Sequence, residues 1–230
     1  MATLREIRRR ISGVRNTQKI TKAMKMVAAA RLRRAQEAII SARPYARKLG
    51  ELLRHLVTKV DLNLNALLVG RETKNVLLVV VTADRGLCGS FNSNIIKAAV
   101  QHLRGQAAVN VKVLTIGRKG SDYFGKRDYN VIAKHVGIFT DLGFHHARGI
   151  VQEITDGYLK GDHDRVQIIY NEFKSVIQQR IVVEQLLPIP PEETQPAKDL
   201  HSLAQVDYVC GPSRAEIVSA LVPRHLNFQM

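Results

Sequence analysis

Few residues of this 230-residue sequence could carry chemistry, and the strongest candidates lie in one glycine-flanked loop. The loop over residues 83–90 follows a Val-rich apolar run, a position at which α/β proteins commonly bind phosphate. Its segment Gly86-Leu-Cys-Gly89 matches neither the G-x-G-x-x-G of dinucleotide-binding proteins nor the G-K-[ST] of a P-loop. The sequence therefore predicts no nucleotide site in this loop.

The remaining cysteine and histidine residues do not form a recognisable site either. Cys88 lies far from Cys210 in sequence, and it would need an activating base to act as a nucleophile. The adjacent pair His145-His146 should point about 100° apart on a helix, which excludes an i,i+4 metal pair. The segment Asp162-His163-Asp164 is expected to be a solvated polar turn. We predict no catalytic, cofactor-binding or metal-binding residues, and no cofactor.

Charge divides the chain into two unequal parts. Residues 1–60 hold 16 Lys and Arg against three Glu, whereas residues 61–230 hold 19 against 17 acidic residues. A basic segment joined to a nearly neutral remainder favours an acidic partner, which is a nucleic acid, an anionic lipid or an acidic protein surface. No apolar run approaches the roughly 20 residues that span a bilayer.

An apolar repeat predicts one long N-terminal helix. Thr3 begins a capping-box sequence. From Leu4 to Leu56 apolar residues recur at alternating steps of three and four, interrupted over residues 18–25. A 3.5-residue repeat held over so many turns is typical of a coiled coil. We expect a helix of about 80 Å over this segment, bent at Pro44.

Alternating strands and helices predict an open, mostly parallel, Rossmann-like α/β sheet in the rest of the chain. The first strand, Val76–Thr82, is continuously apolar, which is typical of burial on both faces. Further strands are expected at Val111–Ile116, Val131–Val136, Val166–Tyr170 and Ile181–Leu187, with helices from near Asn92, at Arg118–Arg127 and at Asp141–Leu159.

The last two strands are close enough in sequence to pair antiparallel, and a second capping box at Ser213 opens a final helix. We therefore divide the chain into a basic coiled-coil helix at 1–60, an α/β domain at 61–205 and the start of a C-terminal helix at 206–230.

Three stretches closely resemble one protein family. Asn16–Ala28, Ser41–Tyr45 and Thr82–Gly89 are similar to the gamma subunit of F-type ATP synthases, and the match runs from Ala2 to Met230. The resemblance implies a central rotor shaft that couples proton flow to ATP synthesis and is not itself catalytic, since the nucleotide sites belong to beta. The family's C-terminal helix continues beyond the point that matches Met230, so we expect most of that helix to be missing.

The resemblance also implies partners. The N-terminal helix is expected to turn inside a hexamer of alpha and beta subunits, and the α/β domain to touch the epsilon subunit and the c ring. An acidic loop of beta is expected near Met24, Lys25 and Cys88. Contacts with the hexamer are expected from Arg8, Arg9, Lys19, Lys22, Met24, Lys25, Arg33, Asp84, Arg85 and Cys88. The implied location is peripheral, at the cytoplasmic face of a bacterial inner membrane, with no nucleic acid bound.

Two other classes of protein remain open. A basic coiled coil could bind nucleic acid, although here the basic residues are interleaved with the apolar seam, whereas a basic zipper keeps the two separate. An α/β enzyme with a coiled-coil dimerisation arm is the other, and it would predict nucleotide binding by the α/β domain.

Overall fold

The computed structural model describes residues 3–57, 65–106, 109–175, 178–189 and 214–230. The chain forms two compact units, residues 1–49 and residues 50–230. The described helices are α1 (Leu4–Val57), α2 (Phe91–Gly105), α3 (Arg118–Phe124), α4 (Phe144–Lys160) and α5 (Arg214–Gln229), and the strands are β1 (Asn75–Val81), β2 (Asn110–Ile116), β3 (Val131–His135), β4 (Arg165–Phe173) and β5 (Gln179–Leu187). The predicted α/β class, with a long N-terminal helix and a final C-terminal helix, is confirmed.

Helix α1 is a single helix of 54 residues. Its first turn is closed by the predicted capping box, in which the Thr3 amide donates to Glu6 Oε2 at 3.0 Å and the Glu6 amide to Thr3 Oγ1 at 3.4 Å. Pro44 lies inside the helix and does not end it, so the predicted continuation of the helix is confirmed. The predicted cap of α5 at Ser213 lies outside the described residues.

The sheet has the strand order β3-β2-β1-β4-β5. Strand β1 pairs parallel with β2 and with β4, β2 pairs parallel with β3, and β4 pairs antiparallel with β5. The antiparallel pairing expected for the last two strands is therefore confirmed. An open sheet of this order places its connecting loops after β1, β2 and β3 at one edge, which is called here the carboxyl edge.

Strand β1 is buried on both faces, as its continuous apolar sequence predicts. Leu77 and Val79 belong to a core with residues of α4 and α5 and with Leu53 near the end of α1. Leu78 and Val80 belong to a second core with residues of α2 and α3. All four β1 side chains are 0% exposed, so the strand holds two layers of helices on opposite faces of the sheet.

The segment Asp162-His163-Asp164 is not the solvated turn that we expected. His163 is 2% exposed, and its ring Nε2 lies 2.9 Å from the Ile154 carbonyl. Asp164 Oδ2 accepts hydrogen bonds from the amides of Lys74 and Asn75, which fixes the start of β1. His163 Nε2 and Asp164 Oδ2 can be withdrawn from water because each has a backbone partner at this edge of the sheet.

The Arg71 side chain and the Tyr158 ring pack beside His163 and Asp164. The Arg71 guanidinium lies 4.3 Å from the centroid of the Tyr158 ring, and it also donates to the Tyr158 carbonyl. Arg71 Nε is 3.5 Å from Asp164 Oδ1. Hydrogen bonds from the Asn75 amide, together with the nearby Arg71, lower the pKa of Asp164 below its ordinary value of 3.8.

His145 and His146 also differ from our expectation. Both lie in the first turn of α4, and their ring centroids are only 4.0 Å apart with planes 38° apart. The helical offset of two adjacent residues fixes only their Cα–Cβ directions, and rotation about the side-chain bonds brings the rings together.

Gly117, after β2, is the glycine that the fold requires most clearly. Its φ is +94°, and a Cβ added there would lie 2.0 Å from the Thr82 carbonyl oxygen. We expect Gly117→Ala to cost about 3 kcal/mol or more in the free energy of unfolding, since a clash is added to left-handed strain. Urea denaturation measures this loss.

Gly137→Ala is the matched control for that variant. Its φ is +86°, but nothing lies within 4 Å of an added Cβ, so only the conformational cost of about 1 kcal/mol is expected. Equal losses in the two variants would show that the close approach to Thr82 does not matter.

Burial of His163 should make stability depend on pH. Desolvation lowers the pKa of His163 below its ordinary value of 6.5, so the folded state binds fewer protons than the unfolded state. The contribution of His163 to the free energy of unfolding is fully present above pH 6.5. Below that value the free energy of unfolding falls by up to about 1.4 kcal/mol per pH unit. Hydrogen bonds from the Asn75 amide lower the pKa of Asp164, so Asp164 adds its own loss as the pH falls below about 3.8, and the two losses begin at different pH values.

Urea denaturation across this pH range measures the effect of His163. His163→Gln should abolish the slope that begins at pH 6.5, whereas His135→Gln, at the partly exposed pair with Glu153, should keep it. An unchanged slope in His163→Gln would rule out this histidine as its source.

Candidate partner-binding surface

The first part of α1 presents a continuous exposed surface. Every residue from Thr3 to Ala35 is exposed. This stretch holds seven of the ten predicted contact residues, which are Arg8, Arg9, Lys19, Lys22, Met24, Lys25 and Arg33. Arg33 forms an exposed ion pair with Glu37 at 3.0 Å. The cations are therefore available on all sides of the helix, a distribution that suits an acidic environment rather than one fixed carboxylate.

The predicted apolar seam is also exposed in this stretch of α1. Its large side chains there are 36% to 77% exposed, and they are Leu4, Ile7, Ile11, Val14 and Leu32. Just before the polar break of the seam Thr17 donates to the Gly13 carbonyl, and within the break Thr21 donates to the Thr17 carbonyl, each at 3.0 Å. These two hydroxyls are therefore satisfied within the helix.

The loop after β1 contains the other three predicted contact residues, Asp84, Arg85 and Cys88. The Asn92 side chain in the first turn of α2 holds this loop. Asn92 Oδ1 accepts from the Ala83 amide at 2.9 Å, and its Nδ2 lies 3.4 Å from the Arg85 carbonyl and 3.0 Å from Cys88 Sγ. Arg85 and Cys88 are exposed, and the loop is rigid at its base.

Asp84 is positioned differently from its neighbours. Its Oδ1 accepts hydrogen bonds from the Arg118 amide at 2.9 Å and from the Gly137 amide at 3.1 Å. Its Oδ2 is buried, with no hydrogen-bond partner among the described residues. The carboxylate thus ties the ends of β1, β2 and β3 together, and it occupies amides that a phosphate at this edge would use.

Thr82, which directly follows β1, forms hydrogen bonds at the same edge. Its hydroxyl lies 3.2 Å from the Ile116 carbonyl and accepts from the Gly120 amide at 2.8 Å. Gly117 and Gly120 pack so closely against Thr82 that an added Cβ would lie 2.0 Å and 3.0 Å from its atoms. The glycines here allow close packing of the chain against Thr82.

The structure brings Asp84, Arg85 and Cys88 together in one loop, whereas the α1 residues belong to the other compact unit. Sequence reasoning missed Leu87 in this loop, which is 93% exposed and has a φ of +62°. It also missed Asn92. An Asn in the first helical turn after a loop commonly binds the backbone of that loop, and this was the signal that the sequence offered.

Neither a metal-ligating cluster nor a membrane-spanning helix occurs among the described residues. No cluster of three or more His, Cys, Asp or Glu residues there could hold a metal ion. Likewise, no helix in the described part of the chain has the length and apolar composition to cross a membrane.

These features define a class of protein: a doubly wound α/β domain with a filled carboxyl edge, joined to a long, basic, exposed coiled-coil helix. Comparison with known proteins identifies its family. The family model for ATP synthase matches residues 3–230. The gamma chain of Chloroherpeton thalassium ATP synthase is 50% identical over 242 residues, covering 100% of this chain and 79% of the relative. That of Prosthecochloris aestuarii is 48% identical over 236 residues, with the same coverage.

A solved structure agrees with this family. The central stalk and c-ring structure of Tetrahymena thermophila mitochondrial ATP synthase contains a chain with a TM-score of 0.65 and 26% identity, covering 91% of this chain and 88% of that one. The chain therefore belongs to the ATP synthase gamma chain family and has the fold of a central stalk subunit. The nucleic-acid-binding alternative finds no support in these relatives.

The filled carboxyl edge generates a prediction about nucleotides. We expect the full chain to show no saturable binding of ATP or NAD at tens of micromolar, because Asp84 and Thr82 occupy the amides of the crevice. Isothermal titration calorimetry measures this, with a nucleotide-binding alpha–beta hexamer as the positive control. Saturable binding to the chain alone would show that the crevice can open.

Proposed function

We propose that this chain is the non-catalytic rotating shaft of a proton-translocating ATP synthase. In this role it transmits rotation from the membrane c ring to an alpha–beta hexamer, where the catalytic nucleotide sites lie. The observation that carries the proposal is the kinship with gamma chains at 50% identity, together with a stretch of α1 that exposes its cations and its seam. The proposed partners are alpha, beta and epsilon subunits and the c ring.

Several features support the non-catalytic part of the proposal. Asp84 and Thr82 hold the backbone amides at the edge of the sheet where related folds bind phosphate. Cys88 Sγ is 3.0 Å from an Asn92 amide nitrogen, and an amide cannot act as its base. The role left for these residues is contact and support.

The proposed location is peripheral, at the cytoplasmic face of a bacterial inner membrane, with the membrane reached only through the complex. The bacterial relatives support this location. The proposed contact residues are the seven of α1 and, in the other compact unit, Asp84, Arg85 and Cys88 of the loop.

A shaft that turns inside a ring must be attracted in each rotary position without being trapped in one. The basic face of α1 meets this requirement, because a helix with cations on every side interacts with acidic loops at any angle. Exposed charges of this kind add little to folding, typically about 0–1 kcal/mol per ion pair. Their removal should therefore affect coupling more than stability.

Reversal of Lys22 and Lys25 to Glu tests this function. In assembled complexes the double variant should lower ATP-driven proton pumping several-fold, because each reversed charge changes a surface interaction with a carboxylate by roughly 1 kcal/mol or more. The unfolding free energy should change by about 0.5 kcal/mol or less. Dye quenching in inverted vesicles measures pumping, and urea denaturation measures stability.

The matched control reverses Lys97 and Arg104, two exposed cations of α2, to Glu. This control changes the net charge equally and should leave pumping unchanged. If the α1 variant instead unfolded, with normal coupling in the folded fraction, Lys22 and Lys25 would be structural. Failure of the wild-type chain to assemble with co-expressed alpha and beta would overturn the proposed function itself.

A further inference from the structure

Two segments of the chain meet at the amino edge of the sheet, where β1 and β4 begin. Residues 69–75 lead into β1, and residues 161–164 form the turn between α4 and β4. Asn75 and Asp164 join these segments by reciprocal hydrogen bonds. The Asn75 amide donates to Asp164 Oδ2 at 2.9 Å, and the Asp164 amide donates to the Asn75 carbonyl at 2.8 Å. The bonds between residues 69–75 and 161–164 are called here the amino-edge contact.

The amino-edge contact is polar. The two buried cores contain no residue of 69–75 or of 161–164. The Tyr158 hydroxyl, beside the turn, donates to the Val69 carbonyl at 3.0 Å. Separation of the two segments would therefore break hydrogen bonds and an ion pair but would leave both cores closed. A local opening of this kind requires less free energy than global unfolding.

The His163 ring is buried inside this contact in a single protonation state. Nε2 lies 2.9 Å from the Ile154 carbonyl, and because a carbonyl can only accept, Nε2 carries the hydrogen. Nδ1 is therefore the bare nitrogen, and it is buried with no hydrogen-bond partner among the described residues. The ring also packs directly on α4, where a Cβ added to Gly157 would lie 2.5 Å from its Cε1. A second proton would have to bind at this enclosed Nδ1.

Two cations oppose a positive charge on the His163 ring. Lys112 of β2 donates from Nζ to the Asp162 carbonyl at 2.9 Å, and Arg71 Nη2 lies 3.4 Å from the His163 carbonyl. Tyr158 of α4, whose ring centroid is 6.3 Å from that of His163, stays neutral because burial raises its pKa above 10.0. The elements packed against the ring thus offer cations and a neutral phenol.

The two carboxylates of the turn compensate only in part. Asp162 is exposed to water, which screens its charge. Asp164 already accepts from two backbone amides and pairs with Arg71. Desolvation is the largest influence on the His163 pKa and lowers it, Lys112 and Arg71 lower it further, and Asp162 opposes them. A protonated His163 is therefore more stable in water than in this contact.

We propose that His163 makes the amino-edge contact sensitive to acid. Protonation of Nδ1 expels the ring, releases residues 161–164 from residues 69–75, and opens this edge of the sheet while both cores stay closed. The inference concerns the α/β unit alone, so it does not depend on the proposed function. It goes beyond a loss of overall stability, because it assigns the effect of the proton to one local opening.

The pH range of the opening follows from proton binding. The open state exposes the His163 ring, which then has its ordinary pKa of 6.5, whereas burial lowers that pKa in the closed state. The equilibrium constant for opening is therefore constant above pH 6.5 and rises by up to about tenfold per pH unit below it. Asp164 stays ionised down to pH 3.8, so it does not contribute near pH 6.

Native-state hydrogen exchange of the full chain, resolved by amide and corrected for the intrinsic exchange rate at each pH, tests this proposal. The amides of Asn75 and Asp164 should show the rise below pH 6.5. Their opening should not respond to low urea concentrations, since little surface is exposed. The Gly117 amide, which donates to the His135 carbonyl at 2.8 Å, is the control at the carboxyl edge. It should require a larger opening that does respond to urea.

His163→Gln removes the proton site but keeps a nitrogen donor for the Ile154 carbonyl. In this variant the exchange of the Asn75 and Asp164 amides should lose its pH dependence, whereas His135→Gln should retain it. The proposal is overturned if the dependence persists in His163→Gln. It is also overturned if Asn75 and Asp164 exchange with the same opening free energy and urea response as Gly117.

Lys112→Met and Asp162→Asn form a matched pair that keeps His163, and they decide the question even if His163→Gln does not fold. Removal of the Lys112 cation raises the pKa of the buried ring, so the rise in opening should end at a higher pH than in the wild-type chain. Removal of the Asp162 carboxylate lowers that pKa, so the rise should continue to a lower pH. Identical pH profiles in the two variants would show that another group controls this edge.

Discussion

The burial of β1 is the interaction on which the α/β unit depends. Its side chains from Leu77 to Val80 are 0% exposed and alternate between two cores, one with α4 and α5 and one with α2 and α3. Because β1 pairs with a strand on each side, it cannot shift without breaking both ladders and both cores. The strand therefore fixes the point at which the loop after it begins, and residues 85–90 of that loop are all exposed.

The two compact units divide the tasks of the chain between them. Residues 50–230 contain the buried cores, whereas α1 from Thr3 to Ala35 is exposed at every position. Isolated helices gain little from propensity alone, so this stretch must be stabilised by what covers its seam. We infer that its fold is completed within an assembly, as expected for a shaft subunit. The exposed stretch and the buried cores are thus separate along the sequence.

The sequence predicted the main elements because their signals are long and periodic. The 3.5-residue repeat predicted α1, and the Val-rich run predicted that β1 is a strand buried on both faces. It did not predict the burial of His163, since that depends on Arg71 and Tyr158, which are distant in sequence and close in the fold. The exposure of Leu87 and the inward turn of Asp84 were missed for the same reason.

Asp84 connects the absence of a phosphate cradle with the presence of a rigid loop. In related folds the amides at the carboxyl edge are left open and a ligand phosphate satisfies them. Here the chain's own carboxylate accepts from Arg118 and Gly137, so these two amides are satisfied without a ligand and the chain itself holds the loop. A loop that had to wait for nucleotide would be ordered only part of the time, which would not suit a part that transmits force. The substitution of an internal carboxylate for a bound phosphate therefore gives a physical reason why a fold associated with nucleotide binding can serve as a mechanical element.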